Sequence, residues 1–208
     1  MHRFKIFLLL SVISIVACKN NNSKKEQPVT NAHAGHDAKA MSGYADSVNN
    51  GLIAKDTMKK STPRVAMATI GATHVHISYA SPGVKGRVIW GGLVPYNTVW
   101  VTGAHSATNI QINKPIVINN TTVEAGTYAI FTIPGEKEWI FILNKNYKQH
   151  LADDYTDKED VLRFTIKPDE NKMTQRLTYN VVKKVDNAGS IEILWEKIKL
   201  VVPFKTAS

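Results

Sequence analysis

Four histidines occupy positions where their type and spacing can do chemistry: His74 and His76 in Thr73-His74-Val75-His76-Ile77, His105 in Gly103-Ala104-His105, and His150 in Lys148-Gln149-His150-Leu151. Neutral imidazole is a common transition-metal ligand, and three or four ring nitrogens about 2.0–2.1 Å from a divalent ion make a copper or zinc site. His-x-His on a strand places both rings on one face, two residue rises apart, a spacing that can chelate one ion. A third ring can arrive from the Gly-Ala turn before His105, because glycine permits a sharp approach. The spacing thus points to a transition-metal site drawn from His76, His105, His150 and His74, with copper or zinc as its ion. The competing reading makes each of them a hydrogen-bonding residue of surface or core.

Two other groupings bear on function. Trp90, Tyr96 and Trp100 fall within one breaker-rich stretch, Ser78 to Thr108, which also holds five glycines and two prolines. Three such rings can form a stacking platform for a carbohydrate or another small ligand, or they can anchor loops to the core. Beyond His150, Asp153, Asp154 and Tyr155 could supply a base for metal-assisted hydrolysis. The acidic run Asp153, Asp154, Asp157, Glu159, Asp160 lacks the glycine and ligand spacing of an EF-hand, and reads more simply as a solvated loop. Phosphate-binding loops, nucleophile elbows, His-Glu-x-x-His helices and a cysteine nucleophile are missing, so the chain reads as uncertain for catalysis and better suited to binding.

The elements that must position these groups begin with an export signal. Met1-His2-Arg3-Phe4-Lys5 is basic, and Ile6 to Ala17 is an apolar run too short to span a bilayer as a resident helix. It ends in Ile15-Val16-Ala17-Cys18, and Cys18 is the chain's single cysteine. That ending resembles the lipobox of bacterial lipoproteins, which implies diacylation of the Cys18 thiol, cleavage before it, and acylation of the new amine. Several acyl chains give stable anchoring where one does not. Residues 1–17 are therefore expected to be a lipoprotein signal peptide, and the protein to be held on a membrane of the bacterial cell envelope, at the outer membrane or periplasmic face. An ordinary secretory signal with an incidental cysteine is the alternative.

Residues 18–61 are polar and rich in Asn, Lys, Ala and Ser, the composition of a flexible tether. Weak helical spacing at Val48, Leu52 and Ile53 allows a short docked helix within Tyr44 to Lys60. The tether also carries His33-Ala34-Gly35-His36-Asp37, a set that can capture Cu(II), Ni(II) or Zn(II) weakly, or serve as plain spacer. The formal charge of +9 divides between the two parts. Residues 1–61 hold nine basic and four acidic side chains, and residues 62–208 hold seventeen and thirteen. A mildly basic domain with interspersed charges does not make a nucleic-acid footprint.

From Pro63 the pattern has period two with turn residues between runs, which predicts an all-β domain over 62–208, an antiparallel β-sandwich or open barrel. Thr73 to Tyr79 sets His74, His76 and Ser78 on one face against Val75, Ile77 and Tyr79 on the other. Ala107–Ile112 and Pro115–Ile118 are short strands about an Asn113-Lys114 turn. Thr127–Ile133 and Glu138–Leu143 form a hairpin through Pro134-Gly135. Val161–Ile166, Gln175–Val185, Ser190–Trp195 and Lys197–Phe204 complete the strands.

The stretches SPGVKGRVIWGGLVPYNTVW, TGAHSATNI, EAGTYAIFTIPGEKEWIFILNK and EDVLRFTIKP resemble the bacterial Domain of Unknown Function 2911 family over about Ser61 to Pro203. The resemblance implies a β-rich single domain, commonly exported or lipid-anchored, and supplies no biochemical function. Against the family pattern, this chain has His76 in place of a Thr, Ser78 in place of an Asp, and His105 in place of an Asn. Ser81 and Val101 each replace an Arg, and the pattern has a Trp near His150. It reads as a histidine-bearing branch.

Overall fold

The computed structural model describes residues 43–206. The signal peptide, Cys18, and His33, His36 and Asp37 of the tether lie outside the described residues. Among the described residues no helix is long and apolar enough to cross a membrane.

Among the described residues ten strands form two antiparallel sheets that do not close into a barrel, so the expected sandwich is the fold. They are β1 (Thr62–Ile70), β2 (Thr73–Ser81), β3 (Thr108–Ile112), β4 (Ile116–Ile118), β5 (Thr121–Val123), β6 (Gly126–Ile133), β7 (Trp139–Asn144), β8 (Asp160–Ile166), β9 (Asp169–Val185) and β10 (Ala188–Thr206). One sheet runs β1-β2-β3-β6-β7-β8 and the other β5-β4-β10-β9. β3 and β4, adjacent in sequence, belong to different sheets. Pro115 between them has no N–H to continue a ladder, and the chain crosses over there. The two C-terminal runs around Trp195 are one strand, β10, with a register shift at Glu196, whose φ is 54°. An irregularity of this kind breaks the period-two pattern without ending the strand.

Alternation on β2 buries Val75, Ile77 and Tyr79 in the main core and turns His74, His76 and Ser78 outward, half-buried. The main core fills the space between the sheets with side chains such as Ile110, Ile130, Phe141, Leu177, Ile193 and Phe204. A second apolar cluster forms on the other face of the large sheet. There Ala129, Phe131 and Ile142 of β6 and β7 are covered by Val101 and Ala107 and flanked by Tyr147, Ala152 and Tyr155. The loops carrying His105 and His150 therefore lie over a sheet face rather than at its end.

The segment before β1 is docked. Residues 43–49 are helical, with Ala45 and Val48 buried and Leu52 exposed beyond them. The anchor is Arg176 of β9, whose side chain is 0% exposed. It donates to Asp56 Oδ1 at 2.9 Å and to the carbonyls of Met58 at 2.8 Å, Lys60 at 3.3 Å and Ser81 at 3.0 Å. Its guanidinium also lies 5.4 Å from the Tyr44 ring centroid, a cation–π contact. Asn49 clamps the Arg176 backbone, accepting from its N–H at 2.7 Å and donating to its carbonyl at 3.0 Å. It does so where the β9–β10 register breaks between Glu196 and Leu194. Beyond β2, Gly83 forms a bridge with Arg176, flanked by bonds from Leu177 N to Pro82 O and from Val84 N to Gln175 O. Any Cβ at Gly83 would collide with Oδ2 of Asp56, so the Ser-Pro-Gly turn requires glycine there.

Removing one partner of a buried ion pair leaves the other charge uncompensated. Asp56→Ala is therefore expected to lower the unfolding free energy by about 3–5 kcal/mol. Gly83→Ala, which leaves the pair but crowds its carboxylate, should also destabilise. Urea unfolding followed by tryptophan fluorescence measures both, and a loss below about 1 kcal/mol for Asp56→Ala would remove the pair from its anchoring role.

Candidate functional site

All four tryptophans of the chain meet in one cluster. Trp90 lies edge-on to Trp139, Trp195 and Trp100, with ring centroids at 4.7, 5.7 and 5.8 Å, and Trp100 stacks on Trp195 at 5.6 Å with 21° between planes. Edge-to-face and offset arrangements at these separations suit the ring quadrupoles. Of the three aromatics singled out in sequence, Trp90 and Trp100 are brought together, while Tyr96 packs instead over Gly91, where a Cβ would lie 2.7 Å from its Cε2.

Trp100 is placed by β-pairing outside the named strands. β3 begins at Thr108 opposite Ile130, and beyond it Trp100 takes the place beside Thr132, with N–H···O bonds of 2.8 and 3.0 Å. The loop behind it holds a strained residue: Thr102, β-branched and fully buried, has φ 49°. Strain of this kind costs about 1–3 kcal/mol and persists only where neighbours fix it. Here the Thr102 carbonyl accepts from Tyr179 Oη at 2.8 Å and Thr108 Oγ1 at 3.1 Å, and its hydroxyl meets Thr132 Oγ1 at 3.0 Å. Burial pushes the Tyr179 phenol well above its ordinary pKa, so it stays a donor.

Against Trp100 and Trp195 opens a pocket of about 500 Å³. Lys59, Lys60, Lys85 and Arg87 border it with His105, and no Asp or Glu is among its lining residues. None of these four cations forms an ion pair among the described residues. Two of them are aimed by backbone carbonyls. Lys85 Nζ donates to Met58 O, and the Arg87 guanidinium donates to Val84 O at 3.2 Å and to Gly83 O. Trp195, 2% exposed, has a buried indole N–H with no partner among the described residues. Apolar indoles and unopposed cations suit a small anionic ligand with a ring or apolar portion. Sequence reasoning found the tryptophans but missed the cations. Lys59 and Lys60 read as tether, and only the Arg176 anchor carries them to the Trp195 side.

The four histidines fall into two pairs. His74 and His76 sit side by side on β2, ring centroids 6.4 Å apart. His105 and His150 lie on two chain segments joined by a bridge between Ser106 and His150 and by Leu151 N to His105 O at 2.7 Å. Both rings are exposed, and His150 Nδ1 is 3.4 Å from Asp153 Oδ2. Between the pairs, Ser78, Asn109 and His105 border a shallow cavity of about 290 Å³. Among the described residues no three His, Cys, Asp or Glu side chains gather about one point. Of the acidic loop, Tyr155 donates to Asp160 Oδ2 at 2.9 Å and accepts from Arg163 Nη1 at 3.0 Å.

Residues 61–204 match the family described as Protein of unknown function (DUF2911). The chain belongs to this family. The DUF2911 match begins at Ser61 and ends at Phe204, so it spans both sheets, the tryptophan cluster and all four histidines of the domain. No curated protein and no solved structure matches the chain.

Burial, together with the hydrogen bond to Asp160, pushes the Tyr155 phenol up to about 12. Alkaline absorbance titration should therefore find Tyr155 among the late-ionising tyrosines, at about 12, and the difference between the parent and Asp160→Asn should show that step moving down. The folded pKa is raised, so its stabilising share is complete below pH 10 and declines as pH rises towards 12. A Tyr155 that titrates with the exposed tyrosines would contradict the Asp160 bond.

Proposed function

We propose that this protein is a lipid-anchored ligand-binding module of the bacterial cell envelope, tethered through Cys18, whose pocket takes a small anionic molecule. The observation that carries the ligand class is the charge of the lining: four cations, no acid, and a floor of stacked indoles. A carboxylate or phosphate would sit at the rim between Lys59, Lys60, Lys85 and Arg87, with an attached sugar or apolar ring over Trp100 and Trp195. Catalysis is not part of this reading, because the pocket lining gives His105 no carboxylate and no second histidine to work with. Cys18 and the apolar run before it carry the anchoring half of the proposal.

The tryptophan cluster is a built-in reporter. Galacturonic acid and glucose 6-phosphate should shift or quench its fluorescence while galactose and glucose do not, and the affinity should fall as salt rises. Lys60→Glu and Arg87→Glu should each weaken binding about tenfold or more without changing the unfolding midpoint appreciably. Neutral sugars binding as well as their anionic counterparts would defeat the ligand assignment. The anchor has its own test: in cells fed a palmitate analogue, the parent should be labelled and sediment with membranes, and Cys18→Ser should do neither.

A further inference from the structure

The outward face of β1 and β2 carries a second arrangement, remote in its chemistry from the basic pocket. On β2, His74 and His76 point the same way, and the antiparallel register sets Thr69 opposite His74, Met67 opposite His76 and Val65 opposite Ser78. Directly opposed residues on one face of such a pair have Cβ atoms about 4.5–5.5 Å apart, so the Met67 thioether stands within reach of the His76 ring. The Met67 side chain is exposed and is otherwise an unexplained apolar group on the surface.

Both imidazoles are held by a hydroxyl. His74 Nδ1 lies 3.0 Å from Thr69 Oγ1, and His76 Nε2 lies 3.2 Å from Ser78 Oγ. Where those nitrogens donate to the hydroxyls, the lone pairs fall on His74 Nε2 and His76 Nδ1, neither of which has a hydrogen-bond partner among the described residues. Such outer hydrogen bonds fix tautomer and ring orientation in metal sites. The ring centroids are 6.4 Å apart. Two imidazoles sharing one ion at about 2.0–2.1 Å from each nitrogen have centroids about 5–6.5 Å apart, so small rotations suffice to close the pair on an ion.

The donor set decides which ion. Two neutral imidazoles and a thioether bring no negative charge, and β1, β2 and β3 place no Asp or Glu on this face. A divalent ion would go uncompensated, whereas a soft monovalent one suits both the thioether and the absence of carboxylates. We propose that His74, His76 and Met67 form a surface site for Cu(I), with Thr69 and Ser78 positioning the two rings. The site excludes His105 and His150, which belong to the other pair, and it is independent of the anionic pocket.

The test uses the full chain with His33 and His36 replaced by alanine and Cys18 by serine, so that neither the tether histidines nor the thiol competes. Anaerobic titration of Cu(I) against a chromogenic Cu(I) chelator should show one equivalent bound. His74→Ala and His76→Ala should each weaken it about a hundredfold, and Ser78→Ala, which keeps every ligand, about tenfold. Met67→Leu should weaken Cu(I) while leaving the weaker Zn(II) binding unchanged. Ag(I), a diamagnetic surrogate, should shift the ring protons of His74 and His76 and the methyl of Met67 in NMR spectra. These side chains lie on the outer face, so the variants should retain the parent's unfolding midpoint. A His74→Ala/His76→Ala double variant that competes for Cu(I) as well as the parent, or Ag(I) shifts confined to His105 and His150, would overturn the assignment.

Discussion

A guanidinium buried without its own hydration must find partners where it stands, and Arg176 finds them for both Nη groups by recruiting chain from elsewhere, while its buried Nε has none among the described residues. Its partners are the carboxylate of Asp56 and three carbonyls, those of Met58, Lys60 and Ser81. Two consequences follow from that geometry. The segment before β1 cannot leave the domain without stranding the charge. In addition, the carbonyls of Met58 and Lys60 are fixed, so the side chains of Lys59 and Lys60 are delivered to the pocket rim. Lys85 donates to the same Met58 carbonyl. One buried charge thus organises the surface charges around it. Gly83 is the steric counterpart, since the carboxylate occupies the space its side chain would need.

The tryptophan cluster depends on the same corner. Trp195 sits in β10 where the β9–β10 register breaks, and the break is filled on β9 by Asn49 and by the Pro82–Val84 bonds. Trp195 lines the pocket at that break, and Trp100, held beside Thr132, lines it as well. The strained Thr102 lies two residues on, and the hydroxyls of Tyr179, Thr108 and Thr132 hold it in place.

What was legible in sequence followed from local periodicity. Alternation in Thr73–Tyr79 gave both the strand and the face shared by His74 and His76, because period two needs no tertiary information. The Pro134-Gly135 hairpin was legible for the same reason. The pairing of Met67 with His76 depends on register across the β1–β2 turn. Pocket charge depends on an ion pair between residues 56 and 176, and neither dependence leaves a local trace. His105 is the reverse case. Its type suggests a ligand, and its φ of 64° lies in the left-handed region, where Asn, Asp and His are enriched among non-glycine residues, so backbone and chemistry are both served by the same residue.

β2 connects the two sites proposed for this domain and also keeps them apart. Its outward residues His74, His76 and Ser78 face solvent beside β1, and its continuation, Pro82 and Gly83, turns onto β9 and forms the pocket edge. Side chains alternate along a strand, so the inward residues between them, Val75, Ile77 and Tyr79, belong to the core and to neither site. A change of ligand at one site can therefore reach the other only by shifting a fully packed strand, and close-packed interiors resist such movement. The two sites should act as independent binders on one rigid support, which is what a sandwich with an anchored corner is built to provide.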